Sequence, residues 1–242
     1  MKILLKNRSL LKISGKDAEE FIQNQFTNDI GKLDNKKVQI NAYCQHQGKI
    51  IALFWVIRMD ESFLLSFPID LLERIESRLK MFVIMSDVVI ENVSSLFSQI
   101  GLINESSQNE FRINDNLALL IEDSINHNAE LPQNEIAWNK ACFDSCLPEV
   151  YIKTSEKLVP QMLNLDINEL GVSFSKGCYP GQEVVARLHY LGSAKRRLFS
   201  FKSNQEMLIG DSLYCASSKT ALARGDRYKG SGIVVSKVKY NS

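Results

Sequence analysis

The chain has 242 residues, 45% hydrophobic and 24% charged, and its 29 basic side chains nearly cancel 28 acidic ones to leave a net charge of +1. Such a composition is globular and excludes disordered, collagen-like and low-complexity classes. A near-neutral chain also lacks the strongly basic domain of a general nucleic-acid coat. The longest nearly uncharged apolar run, Ile50 to Ile57, is far below the ~20 residues of a membrane helix. Lys2, Lys6 and Arg8 interrupt any signal-peptide core, so a soluble, cytoplasmic protein is expected.

The elements follow from hydrophobic period and turn chemistry. Leu10 to Ser14 reads as a strand ending at Gly15. Asp17 is then placed as an N-cap with Glu20 three residues on, and Ala18, Phe21, Ile22 and Gln25 share one face of a helix. Val38, Ile40 and Ala42 alternate as in a strand, and the turn Gln45-His46-Gln47-Gly48 leads into Ile50 to Ile57, predicting a hairpin. Ser62 to Phe67 is a further strand. After Pro68 the stripe Leu72, Ile75, Leu79 and Phe82 predicts an amphipathic helix, with a strand through Val83 to Ile90 behind it.

Asn92 to Leu131 predicts shorter strands and polar turns, and Glu135 to Phe143 a helix. From Arg197 the pattern changes to short strands at Leu198 to Phe201, Ser212 to Cys215 and Gly232 to Val238. The order predicts an α+β fold with mainly antiparallel pairing over residues 1–194 and a small β domain over residues 195–242.

The five cysteines, Cys44, Cys142, Cys146, Cys178 and Cys215, are odd in number and scattered, which fits a reducing compartment better than a disulfide framework. Cys142 and Cys146 are spaced to share a helix face, yet two ligands are too few for structural zinc, and no tightly bound metal is expected. His46, His127 and His189 stand in no cysteine-hydrolase context.

The segment richest in chemistry is Lys176 to Glu183, KGCYPGQE. Gly177 and Gly181 suit a tight loop, Pro180 falls where the first residue of a helix is expected, and Gln182 and Glu183 fill the first turn. Cys178 is thereby expected just before a helix N-terminus with Lys176 two residues upstream. Both would favour a thiolate, and Glu183 would oppose it.

This segment resembles the K-G-C-Y-x-G-Q-E signature of the YgfZ-type folate-binding proteins, relatives of the glycine cleavage T-protein, and all seven specified positions match. Phe21 to Asp29 (FIQNQFTND) is similar to the family's F-L-Q-x-Q-x-T-N-D block, and Tyr43 to Lys49 to its C-x-x-x-G-R hairpin, with Lys49 in place of arginine. Pro160-Gln161 with Asn164 to Asp166, and Arg187, Gly192, Lys195 and Arg196, continue the pattern. Cys146 stands where glycine is usual.

The resemblance implies a ring of ferredoxin-like α+β modules with a terminal barrel and a folate in the central hole. It further implies a role in assembly or repair of iron–sulfur proteins, supporting tRNA methylthiolation by a radical enzyme. Carried over by motif, Lys176, Gly177, Cys178, Tyr179, Gly181, Gln182 and Glu183 form the functional loop, with Cys178 the residue expected to be required.

A tetrahydrofolate or derivative needs polar partners for its pterin, aromatic packing, and cations for its glutamate tail. Asn28, Asp29 and Gln182 are candidate pterin partners, Tyr43 and Tyr179 candidate ring contacts, and Arg187, Lys195, Arg196 and Arg197 candidates for the tail. The plainer alternatives are a turn cap for Asn28-Asp29, a core place for Tyr43 and a solvated charge run for Lys195 to Arg197. Expected partners are the folate and iron–sulfur client proteins such as a tRNA-methylthiolating enzyme. Direct RNA binding is not expected, because no alternation of aromatic and basic residues across a sheet is visible. The rival readings are a folate-dependent aminomethyltransferase and an RNA- or partner-docking scaffold.

Overall fold

A computed structural model describes residues 1–84, 86–126, 131–201, 208–209, 213–214, 221–223 and 232–237. His127, Cys215 and Val238 lie outside the described residues. The central layer is a five-stranded antiparallel sheet of β2 (Arg8–Ser14), β3 (Gln39–Cys44), β4 (Ile50–Met59), β5 (Ser62–Pro68) and β6 (Val89–Asn92), ordered β3-β4-β5-β2-β6. Its backbone strand, β4, is buried on both faces. Ile50, Leu53, Trp55 and Ile57 belong to one core, while Ile51, Ala52, Phe54 and Val56 belong to another. A strand enclosed in this way reads as a continuous apolar run rather than an alternating one.

The second face is covered by α1 (Ala18–Gln25) and α2 (Leu72–Lys80), which contribute Phe21, Ile22, Ile75 and Leu79. The first faces a four-stranded sheet of β1 (Lys2–Leu4), β7 (Phe97–Ile103), β8 (Glu110–Arg112) and β9 (Leu117–Asp123), ordered β1-β7-β9-β8. Leu117 and Leu119 of β9 and Trp138 of α3 (Glu135–Asp144) fill the space between. The chain's first strand pairs with β7, Lys2 opposite Leu102, so the amino terminus belongs to the second sheet. Short-range pattern gave no sign of that pairing.

Several expectations change. Asp17 precedes α1 without a side-chain cap; its carboxylate accepts from the backbone N–H of Asp87 instead, tying the helix start to the approach to β6. The strand expected from Val83 begins only at Val89, and Phe82 lies beyond α2, 42% exposed. Cys146 follows α3 with φ +51°, so it does not share a helix face with Cys142; a left-handed position explains why glycine is usual there. At the carboxy-terminal end, β10 (Arg196–Phe201) pairs with β13 (Gly232–Lys237) and β11 (Leu213–Tyr214) with β12 (Ala221–Ala223). No closed barrel forms among the described residues, and none of their helices is long and apolar enough to cross a membrane.

Gly101 of β7 passes directly under the Trp138 indole: a Cβ there would lie 2.4 Å from the ring. Gly101→Ala is therefore expected to cost about 1–3 kcal/mol in urea unfolding through overpacking, with a shift of tryptophan emission as the indole is displaced.

Candidate functional site

The Lys176 to Glu183 loop is assembled from three remote pieces of chain. Thr27 is the first connector. Its backbone oxygen accepts from Ser173 N–H at 3.0 Å, and its hydroxyl donates to Gly171 O at 2.5 Å while accepting from Ala42 N–H at 2.9 Å. The approach to the loop is thus fastened to β3. Asn28 is buried and fully engaged, its side-chain amide donating to Ile40 O and its carbonyl accepting from Asp29 N–H. Asp29 accepts from Gln23 Nε2 and Gly31 N–H, capping the short turn at Ile30–Lys32.

Lys176 is the second connector. Its ammonium donates to the backbone oxygens of Gln23, Phe26 (2.5 Å) and Asn28 (3.1 Å), the carbonyls at and beyond the C-terminal end of α1. A cation there meets the negative end of the helix and satisfies carbonyls that lack helical partners. Burial pushes the ammonium down to about 8, with Asp29 opposing, and the Tyr179 ring lies 5.3 Å away. The expected support of a Cys178 thiolate by this ammonium is not the bond the structure makes: Lys176 holds backbone carbonyls.

The third connector is a contact between two glycines. α4 (Gln182–Tyr190) starts after Gly181, whose φ of +84° makes it the N-cap; Pro180 precedes the cap instead of opening the helix. A Cβ on Gly181 would lie 2.5 Å from Gln45 O and 2.8 Å from Gly48 Cα, and one on Gly48, itself at φ +72°, would lie 3.0 Å from Val184. The β3–β4 hairpin tip and the head of α4 therefore touch backbone to backbone, which a side chain at either position would prevent. Gly177 differs: it has no positive φ, and a Cβ there would meet nothing within 4 Å. The geometric role expected of both loop glycines falls to Gly181 alone.

The clamps leave Cys178 exposed and Tyr179 buried, with burial pushing the Tyr179 hydroxyl up. Gln182 donates to Gly177 O at 3.3 Å, closing the loop on itself, and Glu183 is exposed. Tyr43 takes the core alternative, 1% exposed between Phe26 and Phe54. Arg187, Lys195 and Arg196 are exposed, whereas Arg197 is a structural staple, pairing with Asp166 through both ends of its guanidinium and donating to Gln161 O.

The structure brings a different set of residues around a cavity of about 380 Å³ between the five-stranded sheet and α3, within the ~300–1,000 Å³ range of small-molecule sites. Both tryptophans of the chain line it, Trp55 and Trp138, meeting edge to face at 6.0 Å. Arg8, also in the lining, lies 3.9 Å over the Trp55 ring, donates to Glu149 at 2.6 Å and is braced by Ser66. The other carboxylate oxygen of Glu149 is buried with no hydrogen-bond partner among the described residues, and burial pushes this acid and the lining Asp70 upward. None of the loop residues 176–183 lines this cavity, nor do Asn28, Asp29, Tyr43, Arg187, Lys195 or Arg196. The available signals were the two tryptophans and a charged Arg8 inside a strand; neither has a recognisable spacing.

No protein-family model matches the chain. An uncharacterised protein of Haemophilus influenzae is 33% identical over 221 residues, 87% of this chain and 77% of that protein. A tRNA-modifying protein YgfZ of Colwellia psychrerythraea is 31% identical over 228 residues, 81% of this chain and 69% of that protein. The chain belongs to the YgfZ family. The YgfZ of Escherichia coli is 25% identical over 264 residues, 96% of this chain and 79% of that protein. Among solved structures, the glycine cleavage aminomethyltransferase T of Bartonella henselae superposes with a TM-score of 0.62 at 11% identity, over 98% of this chain and 78% of that one. That likeness establishes a T-protein-like α+β fold for this YgfZ-family chain.

A neutral amine has only two N–H donors for the three carbonyls around Lys176. Raising the pH through about 8 is expected to deprotonate Lys176, and because this lies below the ~10.4 of a free lysine, the closed loop gains rather than loses stability against an open form between the two values. NMR titration of the Lys176 side chain should show its midpoint there, well below an ordinary lysine, with chemical-shift changes at Gln23 and Asn28. Lys176→Met should abolish that titration and lower the thermal midpoint.

Proposed function

We propose that this protein binds a reduced folate in the cavity between the five-stranded sheet and α3 and serves as an accessory factor for iron–sulfur-dependent tRNA modification. The observation that carries the reading is the unpartnered, buried carboxylate oxygen of Glu149 in a cavity walled by two indoles. A pterin presents an amino group and ring N–H that require such an acceptor, and a buried acceptor left unmade is costly. The indole faces suit its fused ring and aminobenzoyl linker. Asp70 offers a second acceptor, while the Arg8 donors are already taken up in large part by Glu149 and Ser66. The residues present therefore fit the aromatic half of a folate.

The tRNA-modification part of the reading is supported by relatives described as tRNA-modifying proteins. Cys178 is the residue assigned to it, an exposed thiol on a loop held at both ends. An aminomethyl-transfer activity has only the likeness of fold in its favour.

Anaerobic calorimetric titration with tetrahydrofolate should give saturable binding, weakened by about tenfold or more in Glu149→Gln, which keeps the shape and removes the charge. Trp138→Ala should weaken it as well; unchanged affinity in both variants would remove the folate from this cavity. Cys178→Ala is expected to leave folate affinity and melting temperature unchanged while abolishing tRNA methylthiolation in cells carrying only that variant. Normal methylthiolation there would overturn the role given to the thiol.

A further inference from the structure

Outside the cavity and the Lys176 cage, the outward side of α4 has no assigned role. Val185 faces the core, and Glu183, Arg187 and Tyr190, three and four residues apart, share the opposite face. Tyr190 is 66% exposed and Leu191, next to it, 84% exposed. The tyrosine is nonetheless held in place. Phe174 stacks on His189 with centroids 3.7 Å apart and planes 17° apart, and Tyr190 stands edge-on to both at 6.0 and 4.8 Å. Lys195 and Arg196 follow at the start of β10, both exposed. Among the described residues no salt bridge involves Arg187, Lys195 or Arg196; Glu183 is the one acid on this face of α4.

We propose that the outer face of α4 together with the turn leading into β10 docks a single-stranded RNA segment, with Arg187, Lys195 and Arg196 meeting phosphates and a base stacking on Tyr190. Three exposed cations with no ion pair among the described residues, against one acid on the same helix face, on a chain of net charge +1, mark a local site for a polyanion. An aromatic ring already oriented by its neighbours stacks on a base with little loss of side-chain freedom. An acidic protein segment would satisfy the cations and leave the tyrosine face without a planar partner. Duplex RNA would offer phosphates with its bases already stacked on one another. The sheet-borne alternation of aromatic and basic residues is absent, and a helix end with its following turn supplies the same chemistry. The proposal stands independently of the folate reading.

Fluorescence anisotropy with a labelled unstructured oligoribonucleotide, the purified full chain and near-physiological salt tests it. Three phosphate contacts to a single strand predict a slope of log affinity against log salt of about −2, and Arg187→Glu should flatten it by at least roughly 0.7. Tyr190→Ala should weaken binding roughly 5- to 150-fold, with Tyr190→Trp restoring it. Should Tyr190→Ala perturb the fold by circular dichroism, the charge-reversed Arg187→Glu/Lys195→Glu/Arg196→Glu variant decides, its residues being exposed. Absence of binding by the wild type, binding unmoved by the charge reversal, preference for a duplex, or preference for a poly-glutamate peptide would each overturn the proposal.

Discussion

Burial of β4 on both faces is the constraint from which the other parts take their places. A strand with an apolar side chain at nearly every position from Ile50 to Ile57 must be covered on both sides, and no single layer can do so. One side receives α1 and α2. The other receives the second sheet together with α3, and the cavity lies between α3 and this side of the five-stranded sheet, with Trp55 of β4 itself in its wall. The same strand begins at the hairpin tip on which Gly181 rests. One element therefore sets the position of a ligand-sized cavity at its middle and of a cysteine loop at its end.

The loop is held by backbone far more than by side-chain packing. Thr27, Lys176 and the Gly48–Gly181 contact all act on main-chain groups: carbonyls at the end of α1, amides of β3, the peptide at the hairpin tip. Such a frame is tolerant of neighbouring side chains and intolerant of change at its own few positions. In this frame the lysine of the motif is turned inward onto backbone carbonyls, while Cys178 and Glu183 of the motif stay exposed. The cavity follows another rule. Its polar network of Arg8, Ser66, Glu149 and Gln99 is buried, and one carboxylate oxygen is left over. In a low-dielectric interior such a group is costly without a partner, which makes it a specificity element once one arrives.

Local chemistry made much of this readable in advance. The hairpin over Val38 to Ile57, the helices at Ala18 and Leu72, and the helix head at Gln182 follow from period and turn residues within a dozen positions. The motif around Cys178 identified the family that the 31% identical relative shows. The misreadings lie where a distant partner competes with a local rule. Asp17 caps no helix N–H because Asp87 offers its own, and the Lys176 ammonium is bound to the carbonyls at the end of α1. Tyr43, a candidate ring contact from its place in the hairpin motif, points instead into the core beside Phe26.

The sequence by itself determined the α+β order, the hairpin leading into Ile50 to Ile57, the loop cysteine and the family, since each is carried by residues close together or by a contiguous motif. Only the tertiary structure decided that Arg8, Trp55, Trp138 and Glu149, spread over more than a hundred positions, line one cavity. It alone placed Phe174, His189 and Tyr190 in one aromatic cluster. Periodicity records which face of an element is buried. Which elements share that burial is set by long-range packing, and a single chain read in order carries no local trace of it.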